Sequence, residues 1–199
     1  MLWDPTLTAA GPFQSPRASP QQLEDLRAYL KKAEQFGQST KEMVPVVPFG
    51  IAEIDRHLPT GGLVQDALHE LFAENHADIG AVTVFCITIL IRLLSIDDQN
   101  PKRPILWCLQ NQVMDTGDFY PSGFAHLGLN PAHIFAVRTK YDTDALWVME
   151  EALRCGVLCA VVGELKSVDL TASRRLQLAA KAGNTMPLLL RPVSDTLAP

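Results

Sequence analysis

Residues 73–80 occupy the position where phosphate chemistry would be expected, between a predicted strand (68–72) and a long apolar run. A phosphate loop of the form GxxxxGK[ST] uses glycines to wrap the phosphates, a lysine to neutralise them and a hydroxyl to hold magnesium. Here Ala73 and Asp78 stand at the glycine positions, Ile79 at the lysine position and Gly80 at the hydroxyl position. Shifting the register to make Gly80 the second glycine still leaves apolar residues at the lysine and hydroxyl positions. Neither alignment produces a working loop.

The charges in this region also oppose polyphosphate binding. No Lys or Arg lies between Arg56 and Arg92, whereas the same span contains four acids: Asp66, Glu70, Glu74 and Asp78. At contact range, each unpaired acid opposes a phosphate by roughly 1–4 kcal/mol, depending on screening. ATP binding would therefore need a cation from a distant segment or a partner subunit. Without one, residues 73–80 form a plain acidic connection.

Glu164 is the other candidate for nucleotide chemistry. It follows a predicted apolar strand (157–162) and Gly163, and an acid in this Walker-B-like position holds magnesium or orients water in many nucleotide hydrolases. Because the phosphate loop is degenerate, we interpret Glu164 as a polar residue at the point where a strand leaves the core. We predict no catalytic residue and no cofactor.

The remaining reactive side chains show no recognisable catalytic or metal-binding pattern. The five histidines share no short ligand spacing, and no GxSxG nucleophile elbow is present. The four cysteines lie in apolar stretches without a CxxC pair, which is typical of reduced core thiols in a cytosolic protein. We therefore predict no metal site.

Composition narrows the class of protein. The chain has 199 residues, is 47% hydrophobic and carries a net charge of -5, which fits one globular domain and argues against a dedicated nucleic-acid binder. From Lys166 onward there is a basic excess, which fits a solvated helix face or a weak, indirect DNA contact. The longest apolar run, residues 79–91, ends at Arg92 and is too short to span a bilayer. With no signal peptide, a soluble cytoplasmic protein without a membrane contact is predicted.

The chain divides into three parts. Residues 1–19 form a proline-rich tail that we expect to be disordered, and residues 20–43 form an N-terminal helix and linker. The helix (20–35) has one apolar face, made of Leu23, Leu26, Leu30 and Ala33. Residues 44–199 form the core.

Apolar runs and helical periods alternate through the core. Strands are predicted at 68–72, 104–109, 133–137, 157–162 and 186–190, and helices at 50–58, 80–94, 118–127, 144–155 and 170–182. The nearly all-apolar helix at 80–94 is expected to be buried, and Asp142 or Thr143 to cap the helix at 144–155. Short connections between alternating elements predict an α/β fold with a mainly parallel sheet and helices on both faces.

Several segments resemble RecA-like ATPase cores. They are FGIAEID at 49–55, Leu58, GGL at 61–63 and HEL at 69–71. Together with GIAEIDRHLPTGGL (50–63), the strand ending VVGEL (161–165) and SRRLQLAAKAGNTMPLLLRP (173–192), they identify the chain as a member of the ImuA group. The resemblance covers about residues 20–192.

The resemblance implies a RecA-like three-layer core preceded by an N-terminal helix. It also implies a role in damage-induced mutagenesis as part of the SOS response. ImuA-type proteins act in translesion synthesis with an ImuB-type Y-family-like protein and an error-prone replicative-type polymerase, and they engage RecA. The chain departs from the family pattern in lacking the loop lysine and in ending at Pro199, where we expect further C-terminal sequence.

Three functions follow from these observations. The first is a non-catalytic adaptor that bridges an ImuB-type protein and an error-prone polymerase. The second is a divergent ATPase with a composite site, using Glu164 and a cation supplied in trans. The third is an inhibitor like the SulA-type cell-division inhibitors, which also resemble a RecA-like core without a phosphate loop. Whether the N-terminal helix packs on a neighbouring subunit or on its own domain stays open.

Overall fold

The computed structural model describes residues 45–96, 103–110 and 119–192. The predicted tail (1–19) and the N-terminal helix and linker (20–43) lie outside these residues. In chain order the elements are β1 (Val46–Val47), α1 (Ala52–Asp55), β2 (Leu63–Val64), β3 (His69–Ala73), α2 (Ile79–Ile96), β4 (Ile105–Gln110), α3 (Pro121–Leu127), β5 (Ile134–Thr139), α4 (Asp142–Arg154), β6 (Ala160–Glu164), α5 (Leu170–Gly183) and β7 (Met186–Pro192).

Five of the strands form one parallel sheet in the order β3-β7-β6-β4-β5. All six residues of β4 are buried because β6 and β5 flank it and helices cover both of its faces. Pro187 is tolerated in the internal strand β7 because β3 begins to pair only at Leu188. The expected α/β fold with a parallel sheet is confirmed.

The two faces of the sheet have separate cores. On one face, α2 and α3 cover β4, β6 and β7 through residues that include Cys86, Leu90, Phe124 and Trp107. On the other face, α4 and α5 pack on Leu106, Val161 and Leu189. The molecule is therefore a three-layer structure, as predicted.

Helices α4 and α5 approach each other very closely. A Cβ on Gly183 would overlap the carbonyl oxygen of Leu153, so only glycine fits at this crossing. The carboxylate of Glu150, on α4, accepts hydrogen bonds from Arg154 on the same helix and from Arg175 on α5. The predicted end of α5 is confirmed, since Asn184 takes the left-handed conformation with φ 47.

Side-chain hydrogen bonds explain how two elements differ from the prediction at their starts. β6 begins at Ala160 instead of Val157, because the Arg103 side chain donates hydrogen bonds to the carbonyls of residues 156–158 and holds them outside the ladder. α4 begins at Asp142 with Tyr141 as its N-cap residue, so neither Asp142 nor Thr143 caps it. The carboxylate of Asp142 instead accepts a hydrogen bond from the Gln110 amide on β4.

Helix α2 is less buried than its composition predicts. The helix has 18 residues, and only 33% of them are buried. The buried side packs on the sheet, whereas Ala81, Val84, Phe85 and Thr88 on the other side are exposed. The expectation of a fully buried helix is wrong, because a single layer of sheet covers only one side of it.

Helix α2 also overturns the length argument against a membrane span. The helix does not end at Arg92 but continues to Ile96, and with a mean hydropathy of 2.3 over 18 residues it could cross a bilayer by length and composition alone. Core helices of soluble proteins pass the same test, and Ile87, Leu90 and Leu93 pack α2 against the sheet. A cytoplasmic location without a membrane contact stays a prediction.

Candidate functional site: the carboxyl edge of the sheet

Hydrogen bonds between its own residues hold the loop at residues 73–80 in place. Ala73 is the buried last residue of β3, Asp78 ends a single 3-10 turn, and Ile79 and Gly80 begin α2. The Asn75 amide donates to the Asp78 carboxylate at 3.2 Å, and the Asp78 backbone N–H donates to the Asn75 carbonyl at 2.9 Å. The loop therefore turns directly from strand to helix.

The backbone of this loop lacks the conformation that cradles an anion. Successive N–H groups converge on a phosphate when right- and left-handed residues alternate. Among the described residues, positive φ occurs outside residues 73–80, at Gly50, Gly61, Gly128, Gly156 and Asn184. Residues 73–80 thus contain neither the lysine nor a left-handed residue of a phosphate loop.

A distant cation does reach this part of the sheet. β7 pairs with β3 so that Arg191 lies opposite Phe72. Its guanidinium donates to the Glu70 carboxylate at 2.6 Å and sits 5.2 Å from the centre of the Phe72 ring. Arg191 thus neutralises one of the four acids of the region, and it is engaged in that pair.

Glu164 is a buried core residue. The prediction places it beyond the strand, but it is the last residue of β6. Only 2% of it is exposed. Its Oε1 accepts a hydrogen bond of 2.8 Å from the indole Nε1 of Trp107. The Trp107 ring packs in turn against Phe119 and Phe124, with ring centres 5.7 and 5.2 Å away. An aromatic cluster therefore covers the carboxylate that would orient water in a hydrolase.

The cysteines near this edge are held neutral. All four cysteines are free and buried, as expected of core thiols. Burial raises the pKa of Cys108 to about 11, against the lowering effect of a hydrogen bond with Thr139 and with a smaller rise from the charge of Glu164. Burial, and then Glu164, also raises the pKa of Cys86 well above its usual range. These thiols are poor nucleophiles.

The histidines do not form a metal site with other residues that the structure describes. No group of three His, Cys, Asp or Glu side chains with ligand geometry occurs in residues 45–96, 103–110 and 119–192. The Nε2 of His69, on β3, lies 2.8 Å from the Val64 carbonyl oxygen. His69 thus links β3 to β2.

The family-like residues ahead of the loop, here called the lead-in segment (residues 47–72), have structural roles. The Asp55 carboxylate accepts hydrogen bonds from the backbone N–H groups of Phe49 at 2.7 Å and Gly50 at 2.9 Å. Gly62 allows β1 and β2 to approach, since a Cβ there would lie 2.5 Å from the Val47 carbonyl oxygen.

The same segment is tied to the rest of the fold by one side chain of α5. The Gln177 amide accepts from the Leu68 N–H and donates to the Asp66 carbonyl, both at 2.8 Å. This bidentate contact sets the path of the chain into β3. The lead-in segment therefore positions β3 at this edge of the sheet.

Sequence reasoning misses two residues of this edge, Trp107 and Arg191. In the sequence, Trp107 is one of three scattered tryptophans, and Arg191 is one member of a basic excess. Their partners lie 57 and 121 residues away in the chain. Both contacts depend on which strands are neighbours in the sheet, and the local sequence does not indicate that order.

Comparison with known proteins identifies relatives in sequence and in fold. No protein-family model matches the sequence. Protein ImuA of Caulobacter vibrioides, from strain NA1000/CB15N and from strain ATCC 19089/CB 15, is 33% identical over 143 residues, which is 71% of this chain and 55% of the relative. The chain therefore spans about half the length of the curated relatives it matches.

The structure of SulA from Pseudomonas aeruginosa is similar in fold. It superimposes with a TM-score of 0.50 and 24% sequence identity, over 63% of this chain and 98% of SulA. At this identity the likeness concerns the fold alone, and it agrees with the three-layer α/β architecture.

Proposed function

This chain is an ImuA-type protein, and we propose that it acts as a non-catalytic RecA-like adaptor in SOS-induced, error-prone translesion DNA synthesis. In this function it bridges an ImuB-type Y-family-like protein and an error-prone replicative-type polymerase, and it contacts RecA. It works in the cytoplasm without a nucleotide, metal or membrane.

The observation that carries the non-catalytic part of the proposal is the state of the two nucleotide-binding elements. Residues 73–80 contain neither a cation nor a left-handed residue, and Arg191 is already engaged by Glu70. The Glu164 carboxylate accepts from Trp107 inside the core. Binding ATP here would require a rearranged loop, a new cation and an opened aromatic cluster, whereas an adaptor requires only the surfaces of a stable fold.

Direct DNA contact has a minor place in this proposal. Arg174 and Lys181 are exposed on α5, but the neighbouring Arg175 is engaged by Glu150. The whole chain carries a net charge of -5. Arg174 and Lys181 together supply few phosphate contacts, so we expect weak or indirect binding with a shallow salt dependence.

Titration calorimetry with Mg-ATP tests the proposal, first on the chain alone and then with an ImuB-type protein added. We expect no heat from ATP in either case, and saturable heat when the two proteins are mixed. Saturable ATP binding by the chain alone would overturn the non-catalytic assignment. Binding of ATP only in the complex would replace it with a composite ATPase site, and Glu164→Gln should then abolish turnover.

A SulA-like role in cell division is the competing function, and fold likeness does not choose between the two. A pull-down with an ImuB-type protein and with a cell-division filament protein separates them. We expect capture of the ImuB-type protein alone. Capture of the division protein without the ImuB-type protein would refute the adaptor function while leaving the fold assignment unchanged.

A further inference from the structure

The outer side of α2 exposes apolar residues to solvent. Four residues spaced along one line of this helix are exposed, and we call them the α2 stripe: Ala81, Val84, Phe85 and Thr88. Val84 and Phe85 are 45% and 46% exposed. The Thr88 hydroxyl donates to the Val84 carbonyl at 2.9 Å, so the one polar group of the stripe is satisfied within the helix. The stripe thus presents apolar surface with no unmet hydrogen-bonding group.

The N-terminal residues join the structure beside this stripe. β1 follows directly from the undescribed residues 1–44, and Val47 is buried in the same core cluster as the inner side of α2. Phe49 stacks on Phe85, with ring centres 5.7 Å apart and an interplanar angle of 18°. The N-terminal residues therefore enter the structure within about five residues of a side chain that contacts the α2 stripe.

Residues 20–35 have a sequence that matches the stripe. Their apolar residues recur at steps of three, four and three positions: Leu23, Leu26, Leu30 and Ala33. In the stripe, Ala81 and Thr88 likewise lie three or four positions from Val84 and Phe85. The nine residues 36–44 can extend to about 30 Å, and α2 is about 27 Å long, so the tether permits contact along its whole length. An effective concentration on the order of millimolar favours this intramolecular contact over a partner in solution.

Charges favour an antiparallel arrangement of the two helices. The first half of residues 20–35 is net negative (Glu24, Asp25, Arg27) and the second half net positive (Lys31, Lys32, Glu34). Asp78 precedes α2, whereas Arg92 lies near its end and forms no ion pair with any residue that the structure describes. Antiparallel packing brings the first half toward Arg92 and the second toward Asp78.

We propose that residues 20–35 form a helix that covers the α2 stripe of the same chain in an antiparallel orientation. The contact buries Val84 and Phe85 against the leucines of that helix and completes the outer layer on this face of the sheet. It concerns the folding of the chain and is independent of the adaptor function.

Thiol labelling of the full-length variant Val84→Cys tests the proposal. The four native cysteines are buried and serve as a slow background. Adding Leu26→Glu and Leu30→Glu should detach the helix and speed labelling of the introduced thiol by about tenfold or more. Ala28→Glu, on the opposite side of the same predicted helix, is the matched control and should leave the rate unchanged.

Two further measurements distinguish detachment of the helix from general unfolding and from dimerisation. Leu178→Cys lies on α5, beyond the far face of the sheet, and should label at one rate in every background, since a change there would report general unfolding. Protection of Val84→Cys should not depend on protein concentration. Equal labelling with and without the glutamates would overturn the proposal, and protection lost on dilution would show that a second copy covers the stripe.

Discussion

The lead-in segment and the loop after it, residues 73–80, are adjacent in the chain but differ in the kind of residue they contain. In the lead-in segment, Asp55, Gly62 and His69 each make a contact that holds β1, β2 or β3 in place. In the loop, the positions of the phosphate-loop motif are occupied by Ala73, Asp78, Ile79 and Gly80. These residues lead the chain from the end of β3 into α2. The residues that organise the backbone are present in the lead-in segment, whereas the lysine that would neutralise phosphate is absent from residues 73–80.

The difference indicates what the fold requires. The lead-in residues satisfy backbone groups or fill spaces that no other side chain fits, so their loss costs stability whatever the protein does. A phosphate loop makes no comparable contribution, because its glycines and lysine serve a ligand. An adaptor can therefore lose the loop while keeping the lead-in segment.

The largest effect is expected from Gly62→Ala in the lead-in segment. The new Cβ would lie 2.5 Å from the Val47 carbonyl oxygen, and the two short strands would have to separate. We expect the free energy of unfolding to fall by about 3 kcal/mol, measured by urea denaturation. Wild-type stability in this variant would mean that β1 and β2 do not hold the lead-in segment.

A smaller loss is expected from Asp55→Ala, which removes the acceptor for two backbone N–H groups, those of Phe49 and Gly50. We expect a loss of about 2 kcal/mol, because two hydrogen bonds to a charged acceptor disappear. Asp55→Asn keeps one acceptor and should recover part of the loss. If both variants unfold like the wild type, Asp55 is not a structural residue.

The buried thiol of Cys108 predicts that the stability of the protein falls at alkaline pH. The pKa of Cys108 rises from 9.0 to about 11 on folding, so between these values the unfolded chain binds fewer protons than the folded one. The contribution of Cys108 to stability is therefore fully present below pH 9 and should be lost toward pH 11 with a slope of up to about one proton, to which Cys86 adds because its pKa is also raised. Chemical denaturation across this range measures the slope, and Cys108→Ala should reduce it. A slope unchanged by that substitution would place the thiol in contact with water.

The smallest effect has the opposite sign and lies in the loop. Gly80 is exposed at the start of α2, and a Cβ there would meet nothing within 4 Å. Gly80→Ala should raise the free energy of unfolding by about 0.5 kcal/mol, because alanine is the better helix former. In a working phosphate loop a glycine at this place approaches the ligand, so a destabilised Gly80→Ala would indicate an unrecognised constraint on the loop.

The sequence predicts much of the fold, because apolar runs and helical periods report local burial. All five strands of the sheet and the long helices lie within about three residues of their expected positions. The ribbon of β1 and β2 escapes prediction as a pair of strands, since each has only two residues. The exposure of the outer side of α2 is not predicted either, because an apolar composition does not indicate whether one side or both sides of a helix are covered.

The site is less predictable than the fold. The absence of a cation between Arg56 and Arg92 is legible in the sequence, and so is the Walker-B-like position of Glu164. The hydrogen bond from Trp107 and the pair between Arg191 and Glu70 are not, because each joins strands that are distant in the chain. The order of strands in a parallel sheet depends on long-range packing, which leaves no local trace.

The pairing of β3 with β7 has a consequence for synthesis of the protein. β3 is among the first of the described strands to leave the ribosome, yet β7, its neighbour in the sheet, is the last of them to be translated. Until residues 186–192 emerge, the nascent chain holds β3 and its lead-in segment without their neighbour in the sheet. Formation of the sheet is therefore a late, non-local event, and such topologies fold slowly and expose strand edges to aggregation on the way.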